Sequence, residues 1–144
     1  MMYRCLIANR GEIAVRIIRA CRELNIETVA IYAKGDENSL HVSLADQAIC
    51  IGEANPLDSY LNIDRIISAA KVTESNVIHP GYGFLSESTN FAKAVEDNHI
   101  HFIGPSKTTM EMMGDKITAR QTVKQAGVPV IPGSNDAVQS VDAV

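Results

Sequence analysis

Val77-Ile78-His79-Pro80-Gly81-Tyr82-Gly83-Phe84-Leu85-Ser86-Glu87 joins a short apolar run to a loop punctuated by one proline and two glycines. A segment patterned like a helix, Ser88 to Asp97, follows it. Strand, glycine-rich loop and helix in that order bring backbone N–H groups and a positive helix end to one spot. In open α/β sheets that spot, outside the carboxyl end of a strand, is where ligands bind. Pro80 fixes one dihedral, while Gly81 and Gly83 permit φ > 0 or the close approach of another molecule. Tyr82, caught between the glycines, is held where its ring or hydroxyl faces that molecule. The loop lacks the lysine and hydroxyl pair of a P-loop. From these residues alone it reads as an anion- or ligand-facing loop, and they do not say which ligand.

The same alternation runs outward in both directions. Residues 3–8 form a nearly continuous apolar run, the mark of a strand buried on both faces. Residues 12–24 are expected to be a helix with Ile13, Ile17, Ala20 and Leu24 inward, ended by Asn25 as a left-handed cap. Thr28 to Tyr32 and Gln47 to Ile51 read as strands, with a short helix over Leu40 to Ala45 between them. Pro56 to Ser59 is a surface loop, and Asn62 caps a helix to about Lys71 with Ile63, Ile66, Ile67 and Ala70 inward. Val77 to His79 is the fourth strand. Phe91, Ala92 and Val95 face inward from the next helix, which Asn98 ends, and His101 to Ile103 is the fifth strand. Strands too apolar for a one-sided sheet, alternating with helices, predict an α/β fold: a three-layer, doubly wound, mainly parallel sheet of Rossmann-like type. Strand order is not legible at this level.

Beyond Pro105 the pattern changes. Lys107 to Met113 is a short methionine-rich helix stopped by Gly114, with Met110, Met112 and Met113 read as packing. Asp115 caps a helix to Ala126, which Gly127 and Pro129 end. Val128 to Ser134 is extended, and Asn135 to Val144 is small, acidic and aperiodic. The expected division is one domain over 1–114 and the start of a second module over 115–144.

At 144 residues, 46% hydrophobic and 21% charged, the chain can bury a real core. A formal charge of −4 without a basic cluster argues against nucleic acid. No apolar run is long enough for a bilayer, and no signal-peptide layout opens the chain. Cys5, Cys21 and Cys50 are odd in number and form no C-x-x-C pair, so they read as reduced core thiols of a cytoplasmic protein.

Three features are candidates for chemistry. Asn9-Arg10-Gly11-Glu12 stands where a dinucleotide-binding turn would, with one of three glycines and with charges that would obstruct a pyrophosphate. Paired acids for a receiver-type cation site are also missing there. Lys116 lies in the first turn of a helix, where a cation opposes the macrodipole. Asp115 compensates it locally, or a ligand phosphate does. Glu12, Arg16, Arg19 and Glu23 recur along one helix face, as i,i+4 pairs on a solvated surface or as a polar subunit interface. The four histidines form no ligand set.

Ile7 to Ala14, His79 to Glu87 and Met113-Gly114-Asp115-Lys116 closely resemble the biotin carboxylase family. So do Tyr60-Leu61-Asn62 and Phe102 to Pro105, all in the family's order. The resemblance covers essentially the whole chain. It implies the pre-ATP-grasp domain plus the first residues of an ATP-grasp module, most like the biotin carboxylase subunit of bacterial acetyl-CoA carboxylase, the first step of fatty acid synthesis. Pyruvate and propionyl-CoA carboxylases carry similar N-termini. The family's ligase uses ATP, Mg2+ or Mn2+ and bicarbonate to carboxylate biotin held on a carrier protein. Its partners are a second copy in a homodimer, the biotin carboxyl carrier protein and a carboxyltransferase. By resemblance Lys116 contacts ATP, Tyr82 and Gly83 line the biotin and bicarbonate side, and Arg19 and Glu23 belong to the dimer face. The catalytic and metal-binding residues of the family match no position here, so the chain by itself is expected to be inactive.

Overall fold

The computed structural model describes residues 3–132. Five strands, β1 (Arg4–Ile7), β2 (Glu27–Ala33), β3 (Gln47–Gly52), β4 (Val77–His79) and β5 (His101–Phe102), form one sheet in the order β3-β2-β1-β4-β5. Every pairing is parallel. Helices α1 (Gly11–Glu23), α2 (Leu40–Leu44), α3 (Ile63–Val72) and α4 (Thr89–Asp97) make the crossovers. The order runs outward from β1 through β2 to β3, then jumps back to β4 on the other side of β1. Right-handed crossovers therefore send α1 and α2 to one face and α3 and α4 to the other. The helix contacts follow, α1 against α2 and α3 against α4. This is the expected doubly wound fold, and its order puts the reversal between β1 and β4.

The central strands carry the core. Cys5, Leu6, Ile7, Val29, Ala30, Ile31 and Ile78 have no exposed surface. From α3 the core takes Ile66, Ile67, Ala69 and Ala70, and from α4 Phe91, Ala92 and Val95. Asn62 and Ser88 cap these helices by accepting from Arg65 N and Phe91 N.

Four expectations need correction. Helix α1 buries Ala14, Ile17, Ile18 and Cys21, while Ala20 and Leu24 are exposed. The buried stripe is rotated because small residues at 14 and 21 let the helix sit close to β1. Strand β3 is paired only to β2, and most of its residues are not buried, so it is an edge rather than a strand buried on both faces. Cys50 shares that exposure and is not a core thiol. The left-handed residue after α4 is His99 (φ 57), one position later than the Asn98 read as the stop.

The chain divides into two compact units, Met1–Gly104 and Pro105–Val144. In the second, α5 (Lys107–Gly114) packs on α6 (Lys116–Gln125). Ser106 and Asp115 cap them, and Gly127 follows α6 at φ 77. Met110 is buried, but Met112 and Met113 are exposed, so the methionine cluster is only partly packing. The extended reading of Gly133 and Ser134 and the aperiodic tail from Asn135 lie outside the described residues.

Candidate functional site

Where the strand order reverses, the chain leaves β1 and β4 at the same edge of the sheet, the place at which open α/β sheets bind ligands. The exit from β1 is Asn9-Arg10-Gly11, and the exit from β4 is the loop Pro80 to Glu87. Asn9 ties them together. Its side chain is 1% exposed, and its Nδ2 donates to Pro80 O at 2.8 Å and Tyr82 O at 2.9 Å. Its Oδ1 accepts from Arg10 N at 2.9 Å. A buried amide with both ends used fixes one turn against the other.

His79 adds a second tie, because its Nδ1 accepts from Gly81 N at 3.0 Å. That bond requires the neutral ring with its proton on Nε2. Burial favours the same state by pushing the His79 pKa down.

Three residues of the loop are left-handed: Gly81 (φ 67), Gly83 (φ 70) and Phe84 (φ 41). A Cβ on Gly81 would meet Ile13 Cγ2 at 2.7 Å and Asn9 Nδ2 at 2.8 Å, so the glycine is needed for close approach as well as conformation. Around Gly83 no atom lies within 4 Å of such a Cβ. That side of the loop is open.

Phe84 holds a conformation unusual for a bulky residue, and its support comes from distant residues. Its ring stacks on Tyr60 at 5.3 Å between centroids and 5° between planes. The Arg10 guanidinium lies 5.2 Å from the Tyr60 centroid and 5.7 Å from that of Phe84. Arg10 also reaches Asp36 at 3.4 Å. Tyr60 Oη donates to Asp36 Oδ2 at 2.6 Å and accepts from Ala33 N at 3.1 Å. Burial, then the bond to Asp36, pushes the Tyr60 phenol well above its ordinary pKa, so it stays protonated. The charge of Arg10, read from sequence as an obstruction in the turn, is engaged by the supports of the loop.

On this frame Tyr82 is 59% exposed and Gly83 is exposed as well. The Tyr82 hydroxyl donates to Glu12 Oε1 at 3.1 Å. Arg19 and Glu23 lie on an outer face of α1, where with Glu12, Arg16 and His41 they line an open hollow of about 800 Å³. Among the described residues the ion pairs include neither Glu12–Arg16 nor Arg19–Glu23. The expected i,i+4 support on that face is therefore not formed, and Glu12 is turned toward Tyr82. Lys116, in the second unit, is the exposed first residue of α6, with Asp115 accepting from Thr118 N at 2.8 Å.

Sequence reasoning missed the supports: Asn9, His79 as an acceptor, Tyr60 and Phe84. A hint was available at Asn9, a polar side chain at the end of an otherwise apolar strand, which must find partners if buried.

The family model described as "Biotin carboxylase, N-terminal domain" matches residues 1–110. "Biotin carboxylase 1" of Bacillus subtilis is 55% identical over 142 residues, covering 99% of this chain and 32% of that protein. Pyruvate carboxylase of the same organism is 51% identical over 98% of this chain and 12% of its own length. Among solved structures, the biotin carboxylase domain dimer of the Hydrogenobacter thermophilus 2-oxoglutarate carboxylase, in complex with MgADP, ADP and bicarbonate, superposes with a TM-score of 0.91. It is 49% identical and covers 99% of this chain and 31% of that one. The chain spans about a third of the length of the biotin carboxylases it matches.

Proposed function

Because the chain belongs to the biotin carboxylase family, as its N-terminal domain, we propose that it supplies one wall of an ATP-dependent biotin carboxylase site. The full reaction would be that of a ligase: ATP activates bicarbonate, and biotin on a carrier protein receives the carboxyl group. The observation that carries this reading is the presentation of Tyr82 and Gly83. Both stand exposed at the switch point of the sheet, on a loop that contacts of Asn9, His79, Tyr60 and Arg10 tie in place. A wall of this kind fixes where a substrate sits and restricts water.

Tyr82 and Gly83 are proposed to face bicarbonate and biotin, and Lys116 to meet the phosphates of ATP beside the N-terminus of α6. Among the described residues no group of three or more His, Cys, Asp or Glu is placed to hold a metal ion. Mg2+ or Mn2+ is proposed to be held by the part of the longer relatives that this chain does not span, and no step is derived through the metal. We assign residues 1–114 to the domain itself and 115–144 to the start of an ATP-grasp module. Arg19 and Glu23 are proposed to face a second copy in a homodimer. The carrier protein, a carboxyltransferase, a cytoplasmic location and a place in fatty acid synthesis complete the reading. The match to pyruvate carboxylase supports a second parent assembly.

The test is biotin-dependent, bicarbonate-dependent ATP cleavage. The expected result is turnover by a full-length protein carrying this chain and none by the 144-residue chain alone. In the full-length protein Lys116→Ala should raise the apparent KM for ATP at least tenfold, about 1.4 kcal/mol. An unchanged KM removes Lys116 from the site, and turnover by the isolated chain overturns the division of labour.

A further inference from the structure

Tyr82 has a fixed backbone and an exposed side chain. Its carbonyl accepts from Asn9 Nδ2 at 2.9 Å, and the glycines on either side of it are left-handed at φ 67 and φ 70. The residue is 59% exposed, and among the described residues its ring stacks on no other aromatic side chain. It stands on the rim of an open, largely apolar groove of about 630 Å³, with Ile13, Ile17, Leu24 and Arg16 in the wall. Nothing in the loop itself says where such a ring should point.

One side chain outside the loop does. The Tyr82 hydroxyl donates to Glu12 Oε1 at 3.1 Å, a contact across 70 positions of sequence. Glu12 lies in the first turn of α1, a helix whose Ala14, Ile17, Ile18 and Cys21 are buried. The positive helix end favours a carboxylate there. Among the described residues Glu12 forms no ion pair with Arg16 one turn on, so its carboxylate is left for the phenol. The bond to Glu12, ahead of burial, pushes the Tyr82 phenol above its ordinary pKa, and the hydroxyl stays protonated and able to donate. Without that bond the ring is left to turn in water or to lie over the groove, where it hides apolar surface.

We propose that Glu12 is a positioning residue, which holds the Tyr82 ring in the orientation that the biotin side of the site requires. The inference rests on the reading that Tyr82 faces biotin. Glu12 acts through Tyr82 alone: a single hydrogen bond from a packed helix sets the ring before the substrate arrives. Glutamine at this position keeps a carbonyl oxygen that can accept from the phenol, whereas alanine has none. Both changes remove the same charge from the start of α1. The difference between them therefore reports the hydrogen bond and not the helix.

The first measurement uses the 144-residue chain with ring-labelled tyrosine, read by NMR, the Tyr82 signal being the one lost in Tyr82→Phe. Glu12→Ala should move that signal toward the position of free tyrosine, and Glu12→Gln should leave it near its native place. The second uses the full-length protein carrying this chain, with free biotin as the acceptor. Glu12→Ala should raise the KM for biotin by roughly two- to tenfold, the range set by one hydrogen bond. The KM for ATP should not change, and Glu12→Gln should stay close to native. Tyr82→Ala separates the proposal from the reading beneath it. If Tyr82→Ala raises the KM for biotin and Glu12→Ala does not, the proposal falls and the reading stands. If neither raises it, Tyr82 does not face biotin and both fall. A Tyr82 signal unmoved by Glu12→Ala, or equal effects of alanine and glutamine, also overturns the proposal.

Discussion

Tyr60 and Phe84 lie ring on ring, 5.3 Å apart and 5° from parallel, although 24 positions of sequence separate them. Phe84 is left-handed at φ 41, a state that costs a bulky residue of order 1 kcal/mol or more. The stack, with Arg10 over both rings, holds it there. Aromatic pairs contribute about 0.5–1.5 kcal/mol beyond the area they bury. A double-mutant cycle with Tyr60→Leu and Phe84→Leu should therefore show a coupling of about 1 kcal/mol by urea unfolding. Strict additivity would mean that the rings are neighbours without being supports. Tyr60→Phe keeps the stack but strips a partner from Ala33 N and should cost about 1–3 kcal/mol.

Gly81 and Gly83 share nearly the same dihedral, φ 67 and φ 70, yet their surroundings differ. Alanine at either position incurs the left-handed penalty of about 1–2 kcal/mol. Gly81→Ala also drives its methyl into Ile13 and Asn9, adding about 1–3 kcal/mol. Thermal unfolding should rank Gly81→Ala well below Gly83→Ala. In the full-length protein the smaller lesion should still impair turnover, because Gly83 is exposed on the proposed substrate side. Equal losses of stability at the two sites would refute the close packing of Gly81.

Much of this was legible because it depends on local pattern. The glycine-proline punctuation marked the loop, alternation marked the sheet class, and Asn62 and Asp115 were legible as caps because their partners lie three residues on. Strand order was not legible, since a parallel pairing leaves no trace in either strand alone. The buried face of α1 was misread because Leu24 looks like core, while the small Ala14 and Cys21 do the packing. Strand β3 is apolar enough for a central strand, and only the topology makes it an edge. The support from Asn9 escaped notice because it meets Pro80 and Tyr82 across more than 70 positions. Such a juxtaposition exists only once β1 and β4 are neighbours.

The histidine anchor makes the fold sensitive to mild acid. Burial pushes the pKa of His79 below the ordinary value of about 6.5, and does the same to His41, whose Nε2 lies 3.2 Å from Ile31 O. With folded pKa values below the unfolded one, the unfolded chain binds more protons in the window between them. Stability is then complete above about pH 6.5 and declines as pH falls toward the folded values. Asparagine can place an acceptor near the position of Nδ1, so His79→Asn should retain the tie to Gly81 N and flatten part of that slope. Urea midpoints measured from about pH 7.5 to pH 5 check this. A slope unchanged by His79→Asn and by His41→Gln would show that neither ring is held neutral.

Asn9 offers the opposite trend as a cross-check. Its Nδ2 faces two carbonyl oxygens, Pro80 O and Tyr82 O, from a fully buried position. Asn9→Asp preserves shape but turns that donor into an oxygen. Ionised, the carboxylate would face two acceptors out of water, a loss of about 3–5 kcal/mol. Protonated, it can donate to one of them, so its folded pKa should be raised above the unfolded value of about 3.9. A raised folded pKa means that the recovered stability is present at low pH and lost as pH rises through that folded value. The variant should therefore gain relative to the native chain when the pH is lowered from about 8 to 5, even as the histidine effect weakens both. Hydrogen exchange at Gly81 and Tyr82 should speed up most at the alkaline end. A variant as stable as the native chain at about pH 8 would mean that Asn9 does not hold the loop through its amide.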